Sequence, residues 1–138
     1  MKPRKILASI DGSPSSFKAL DTALKLAFND TTITCVYVHE NRPEYKSFFN
    51  PKVNAKIVKD ASRFLDRAMK KCKKHNIRCN DKILHGRPGP RIVSFAQDHH
   101  FDLIVMGSRG IGKLAEIFLG SVSNYVVHKS KIPVTIVK

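Results

Sequence analysis

The sequence predicts an α/β protein, a three-layer α/β/α sandwich around a five-stranded parallel sheet. Three observations predict it. Short β-branched apolar runs alternate with amphipathic helical stretches in the order β-α-β-α-β-α-β-α-β, and such alternation gives a parallel sheet with helices on both faces. The 138 residues suit one domain, 1–138, large enough for a self-sufficient core. Hydrophobic residues at 42% and charged residues at 26% match ordinary globular usage, which excludes disorder, collagen and a disulfide scaffold.

Each element has its own signal. Lys5 to Ile10 is a short apolar run ending at Asp11-Gly12-Ser13-Pro14, where Ser13 suits a helix N-cap and Pro14 the first helical position. Leu20, Ala23, Leu24 and Ala27 then recur at helical spacing. Thr32 to Val38 is β-branched and aromatic, a strand composition. Residues 39–52 are polar with two prolines and read as a long loop. From Val53 to Lys74 an apolar stripe of Ile57, Ala61, Phe64, Leu65, Ala68 and Cys72 predicts a helix, with Asn76 near its end. Arg78 to His85 gives the weakest strand signal. The stretch Gly86 to Pro90 reads as a turn before a helix from about Pro90 to His99. Asp102 to Met106 reads as a buried strand and Gly107 to Gly112 as a glycine-rich loop. A helix carrying Leu114, Ile117, Phe118, Val122, Tyr125 and Val126 on one side follows, and Val134 to Val137 is the last strand.

The chain carries 25 Lys and Arg against 11 Asp and Glu, a net charge of +14. Such a field draws anions: nucleotides, nucleic acid, acidic lipid or acidic protein. The excess is concentrated in residues 41–85, with 13 basic and 4 acidic side chains. Cys35, Cys72 and Cys79 are odd in number and form no CxxC pair, so free thiols in a reducing compartment are expected, Cys35 as an inert core thiol. The apolar run after the basic N-terminus is too short for a signal peptide, and no stretch reaches transmembrane length. A cytoplasmic protein without membrane association is the expectation. His39, His99 and His100 lack the companions of a zinc site.

Three phosphate-loop templates compete for residues 107–123. Gly107 to Lys113 fits G-x4-G-K, but Leu114 stands where Ser or Thr should hold magnesium. Gly110 to Ala115 fits G-x-G-x-x-A, but the strand that follows ends at Val137-Lys138 without an acidic residue. The third pattern, Gly107-x2-Gly110-x9-Gly120-Ser121-Val122-Ser123, fits without a mismatch. With Ile6 to Ser13, Val36-Tyr37-Val38-His39, Asp102 to Gly110 and Pro133 to Val137, the chain resembles the universal stress protein family, in its nucleotide-binding branch. Glycine lets backbone approach a ligand or adopt positive φ, and successive amides in such a loop form an anion-binding concavity. A helix restarting near Gly120 would add its N-terminus.

The resemblance implies a flavodoxin-like, adenine nucleotide alpha hydrolase-like fold and ATP as ligand, with Mg²⁺ or Mn²⁺. It puts Asp11 near the ribose and phosphates, through the metal, and sets the backbone of Val38 against the adenine. Met106 and Gly107 border the ribose and first phosphate. Arg109, Gly110, Gly120, Ser121, Val122 and Ser123 cradle the phosphates. It also implies a homodimer through the C-terminal edge strand, Val134 to Val137, since edge strands pair or are protected. A nucleotide-dependent stress-response switch with at most slow hydrolysis is the leading expectation. A weak metal-dependent ATPase and a nucleic-acid-binding module using the basic 53–74 helix are the alternatives, the basic face otherwise being a solvated surface.

Overall fold

The computed structural model describes residues 2–40, 50–109 and 119–138. In chain order the elements are β1 (Lys5–Ser9), α1 (Pro14–Leu26), β2 (Thr32–His39), α2 (Pro51–Lys74), β3 (Arg78–His85), α3 (Pro88–Asp98), β4 (Leu103–Gly107), α4 (Ser121–Lys129) and β5 (Val134–Val137). The strands form one sheet in the order β3-β2-β1-β4-β5, every pair parallel. The three-layer sandwich read from the sequence is the fold observed.

Strand alternation sorts the core into two layers. Ile6, Ala8, Ile33, Cys35, Leu103 and Val105 face α1 and α2, where Leu20, Ala23, Leu65 and Ala68 meet them. Leu7, Val36, Ile104 and Met106 face α3 and α4, where Ile92, Ala96 and Val126 pack. The central strands β1 and β4 are buried on both faces, which is why their sequences are apolar runs without polar alternation. Helices on opposite faces follow β1 and β4, two neighbouring strands. Their carboxyl ends therefore diverge there and leave the crevice in which open α/β sheets hold ligands. The order 3-2-1-4-5 puts this reversal at β1/β4, where a 2-1-3-4-5 order would put it at β1/β3.

The structure adjusts several boundaries. Helix α2 begins at Pro51, two residues early, because Asn50 caps it through its side-chain oxygen to the Lys52 amide at 3.0 Å. Helix α3 begins at Pro88, inside the expected turn. Prolines are tolerated in a first turn, where amides have no intrahelical partner. Helix α4 begins at Ser121 with Gly120 as its N-cap. The expected continuous helix is thus broken at Gly120, while its positions Leu114, Ile117 and Phe118 lie outside the described residues. So does the 41–49 part of the long loop.

Cys72 and Cys79 form a disulfide across Cα atoms 6.2 Å apart, which corrects the expectation of three free thiols. Asn76 explains the pairing. At φ +55° it turns the chain from α2 back along its own path into β3, placing the two sulfurs side by side.

Cys35 is a free thiol with no exposed surface. Burial first, and then the Asp81 charge, push its pKa from 9.0 to about 12. The folded thiol stays protonated where the unfolded thiol ionises. The group therefore costs nothing below pH 9 and removes about 1.4 kcal/mol of stability per pH unit from there toward 12. In urea denaturation, the advantage of the wild type over Cys35→Ala is expected to shrink across that window. An advantage constant from pH 8 to 11 would show an accessible thiolate instead.

Candidate functional site

The crevice is built where β1 and β4 end. The Ile10 amide donates to the Val36 carbonyl at 2.8 Å, so sheet pairing runs to the residue before Asp11. Asp11 then closes a turn by accepting the Ser13 amide on Oδ1 at 2.9 Å, the local bond that makes Asp a turn former. Gly12 has φ +88°, a conformation glycine adopts without the steric cost of a side chain. Ser13 caps α1, its Oγ accepting the Ser16 amide at 3.1 Å.

On the other side, Gly107 ends β4 in register with Val137. A Cβ there would overlap Ser15 Oγ and approach the Ser15 carbonyl carbon to 2.8 Å. Gly107 is thus needed for close packing of α1 against the strand end. Its φ is not positive, in contrast to Gly12 and Gly86. Of the two uses of glycine expected in this loop, Gly107 thus serves close approach, here to Ser15, and not a positive φ. The Ser15 hydroxyl is buried and has no hydrogen-bond partner.

Ser108 locks the second helix. Its amide donates to the Val137 carbonyl at 2.8 Å, and its carbonyl accepts the Gly120 amide at 2.7 Å. The same carbonyl lies 3.1 Å from Ser123 Oγ, which also reaches the Gly120 carbonyl at 3.1 Å. The N-terminus of α4 is therefore bonded to Ser108, and that of α1 packs on Gly107. Ser13 caps α1 with the Asp11 carboxylate beside it, whereas Gly120 caps α4 without a side-chain bond and no acidic residue stands in its first turn, so the positive end of α4 is the one left for an outside anion.

Val38 and Met106 belong to the core layer facing α3 and α4. Val38 is half-buried at the end of β2 and Met106 is 4% exposed. His39 follows Val38 and pairs in register with His85, their ring centroids 5.5 Å apart and edge-on. Burial first, and then His85, push the His39 pKa below its ordinary 6.5. Tyr37 projects to the opposite layer, where burial, then Asp11, then Asp60 raise its phenol above 10.0. It stays a neutral hydroxyl beside the Asp11 turn.

The universal stress protein family pattern matches residues 2–138. The chain belongs to the universal stress protein family. Universal stress protein YxiE of Bacillus subtilis is 32% identical over 149 aligned positions, covering 97% of this chain and 98% of that protein. The solved structure of MJ0577 from Methanocaldococcus jannaschii superposes with a TM-score of 0.89 at 31% identity, covering 100% of this chain and 97% of that one. The Arabidopsis thaliana family member At3g01520, solved with AMP bound, shares the fold at a TM-score of 0.71 and 18% identity, covering 99% and 92% of the two chains.

In this universal stress protein, Gly120 and Ser123 are joined to Ser108, next to Gly107, by the contacts just described, and Asp11 lies in the turn after β1, bonded to Ser13. Ser121 is exposed at the first turn of α4, and Val122 packs half-buried on the core. Arg109 is exposed just beyond the β4 end. Gly110 lies outside the described residues. Ser123 is 3% exposed, and its one proton is shared between two loop carbonyls, so its hydroxyl shapes the loop. Sequence reading missed Ser15 and Phe64. The Phe64 ring of α2 covers Gly12, where a Cβ would meet it at 2.5 Å, and its centroid lies 6.4 Å from that of Tyr37. The Ser13-Pro14-Ser15-Ser16 run after a strand was the available signal for Ser15. Phe64 gave none beyond core periodicity.

Proposed function

We propose that this universal stress protein binds ATP, carried with Mg²⁺ or Mn²⁺, in the β1/β4 crevice and acts as a nucleotide-dependent stress-response switch with at most slow hydrolysis. One observation carries the reading: at the sheet's reversal point the uncapped N-terminus of α4 is bonded to Ser108, across from the Asp11 turn and the α1 start that packs on Gly107. That arrangement favours a polyanion with an extended phosphate chain. The AMP-bound Arabidopsis relative fits it. The backbone of Val38 at the end of β2 would meet a base, Met106 and Gly107 would border the ribose, and the amides of Ser121 and Val122 would serve the phosphates.

Among the described residues no group of three or more His, Cys, Asp or Glu could hold a metal. Asp11, with Oδ1 engaged by Ser13, suits one contact to an ion held mainly by phosphates and water, the usual habit of Mg²⁺. Such an ion would draw charge off the phosphates. Asp11 would orient it, and Tyr37 would keep a neutral proton donor nearby. We further read β5, an edge strand with half-buried side chains, as the pairing edge of a homodimer. Among the described residues no helix is long and apolar enough to cross a membrane; a cytoplasmic site of action is part of this reading.

The test is nucleotide released by denaturation from freshly purified protein, followed by calorimetry with ATP and Mg²⁺. About one ATP per chain is expected, and Asp11→Ala should weaken ATP-Mg²⁺ at least tenfold with little change in metal-free affinity. No released nucleotide and no calorimetric heat would refute the reading.

A further inference from the structure

Helix α2 presents a row of cations that the nucleotide site does not use. With 3.6 residues per turn, Lys52, Lys56, Lys59, Arg63, Arg67, Lys70 and Lys74 fall within an arc of about 80°. Every helix position inside that arc is Lys or Arg, and all are exposed. The row runs about 33 Å at 1.5 Å per residue. It lies opposite the buried stripe of Ala61, Leu65, Ala68 and Cys72. Asp60 and Asp66 sit just outside its two edges. Among the described residues no carboxylate forms an ion pair with any of the row. The nearby Lys71 does pair, with Asp21 at 2.8 Å, and Arg67 stacks over Phe17 at 4.1 Å.

Helix stability does not account for this pattern. Like charges three and four residues apart repel, each pair by a few tenths of a kcal/mol. Lys52 stands in a first turn that has no acidic residue, where the helix dipole disfavours a cation. The C-terminal half of the rod is nevertheless held in place, with Ala61, Leu65, Ala68 and Cys72 buried in the core, so the charges there cannot spread apart.

We propose that the α2 row is a docking surface for duplex nucleic acid, read through its phosphates without base specificity. The complementarity is geometric as well as electrostatic. A straight row of about 33 Å spans one turn of duplex, whose charges repeat every 1.7 Å or so. The row holds no aromatic residue, so single strands gain no stacking platform there. The apolar stripe of Ala61, Leu65, Ala68 and Cys72 is already buried, so the half of α2 that carries it has none to insert into a lipid surface.

The experiment is fluorescence anisotropy with a labelled 25-base-pair DNA of arbitrary sequence, using the full chain in 50–200 mM salt. If about seven phosphates are engaged, log K should fall against log salt with a slope near −6, a loss of roughly 10³-fold or more over that range. Lys59→Glu, Arg63→Glu and Lys70→Glu together should cut affinity at least 100-fold and flatten the slope by about three. Lys25→Glu, Lys129→Glu and Lys131→Glu together change the net charge equally, and should cut affinity less than tenfold. Equal losses in the two variants would overturn the proposal in favour of a diffuse effect of net charge. So would retention by phosphatidylserine vesicles without binding to the duplex. Circular dichroism and ATP calorimetry on both variants should match wild type; unfolding of the α2 variant would shift the test to Lys59→Gln, Arg63→Gln and Lys70→Gln, with at least a tenfold loss expected.

Discussion

Gly107→Val is expected to abolish nucleotide retention and to cost about 2–3 kcal/mol of stability, as overpacking at a closed contact does. The new Cβ alone would overlap Ser15 Oγ. The hydroxyl could rotate, but the Ser15 carbonyl carbon, 2.8 Å from the Cβ position, belongs to the first turn of α1 and cannot move alone. Relief requires sliding α1 off the end of β4, which carries the Asp11 turn away from Ser108 and widens the crevice. Urea denaturation measures the stability loss and calorimetry with ATP-Mg²⁺ the binding loss. Ser15→Gly in the same chain should recover only part of both, because the backbone contact persists. Unchanged ATP affinity in Gly107→Val would mean that this packing does not shape the site.

Gly12→Val is expected to be the most destabilising single change near the site, by about 3–5 kcal/mol. Two independent costs add. A β-branched residue at φ +88° is strained by roughly 1–3 kcal/mol. Its Cβ would also stand 2.5 Å from the Phe64 ring, and overpacking of this kind costs about 1–3 kcal/mol. A double-mutant cycle with Phe64→Ala separates them. Removing the ring should restore the packing share and leave the dihedral share. Full rescue would show that the Gly12 backbone relaxes freely; no rescue would show that the ring had already moved aside.

Much of the fold was legible because the strands announce themselves locally. Arg78 to His85 and Val134 to Val137 were read with the bounds observed. What the sequence hid depends on contacts between distant residues. The break at Gly120 is fixed by its amide on the Ser108 carbonyl, while apolar periodicity continues across it from Leu114 to Val126. Prolines at 88 and 90 suggested a turn, although a first helical turn tolerates both. Ser15 became notable only when Gly107 was found against it. Cys72 and Cys79 looked unrelated until Asn76 folded β3 back beside α2. The site was legible as a set of glycines and serines at family spacing; the hydroxyl of Ser123, spent inside the loop, was not.

The Cys72–Cys79 crosslink bears on how the edge of the sheet is assembled. Strand β3 has a neighbour on one side only, and most of its residues are exposed, so side-chain burial discriminates weakly between alignments offset by one residue. Closing so short a loop adds only about 2 kcal/mol. Its larger effect is on phase. With Cys79 tied to Cys72, an offset strand would need its tether to stretch, and the error is excluded before β3 has found β2. The link is also local in the chain, so it can form early, when long-range pairing is still slow. Reduction would then cost the native fold about 2 kcal/mol and, beyond that, admit misaligned edge strands during refolding.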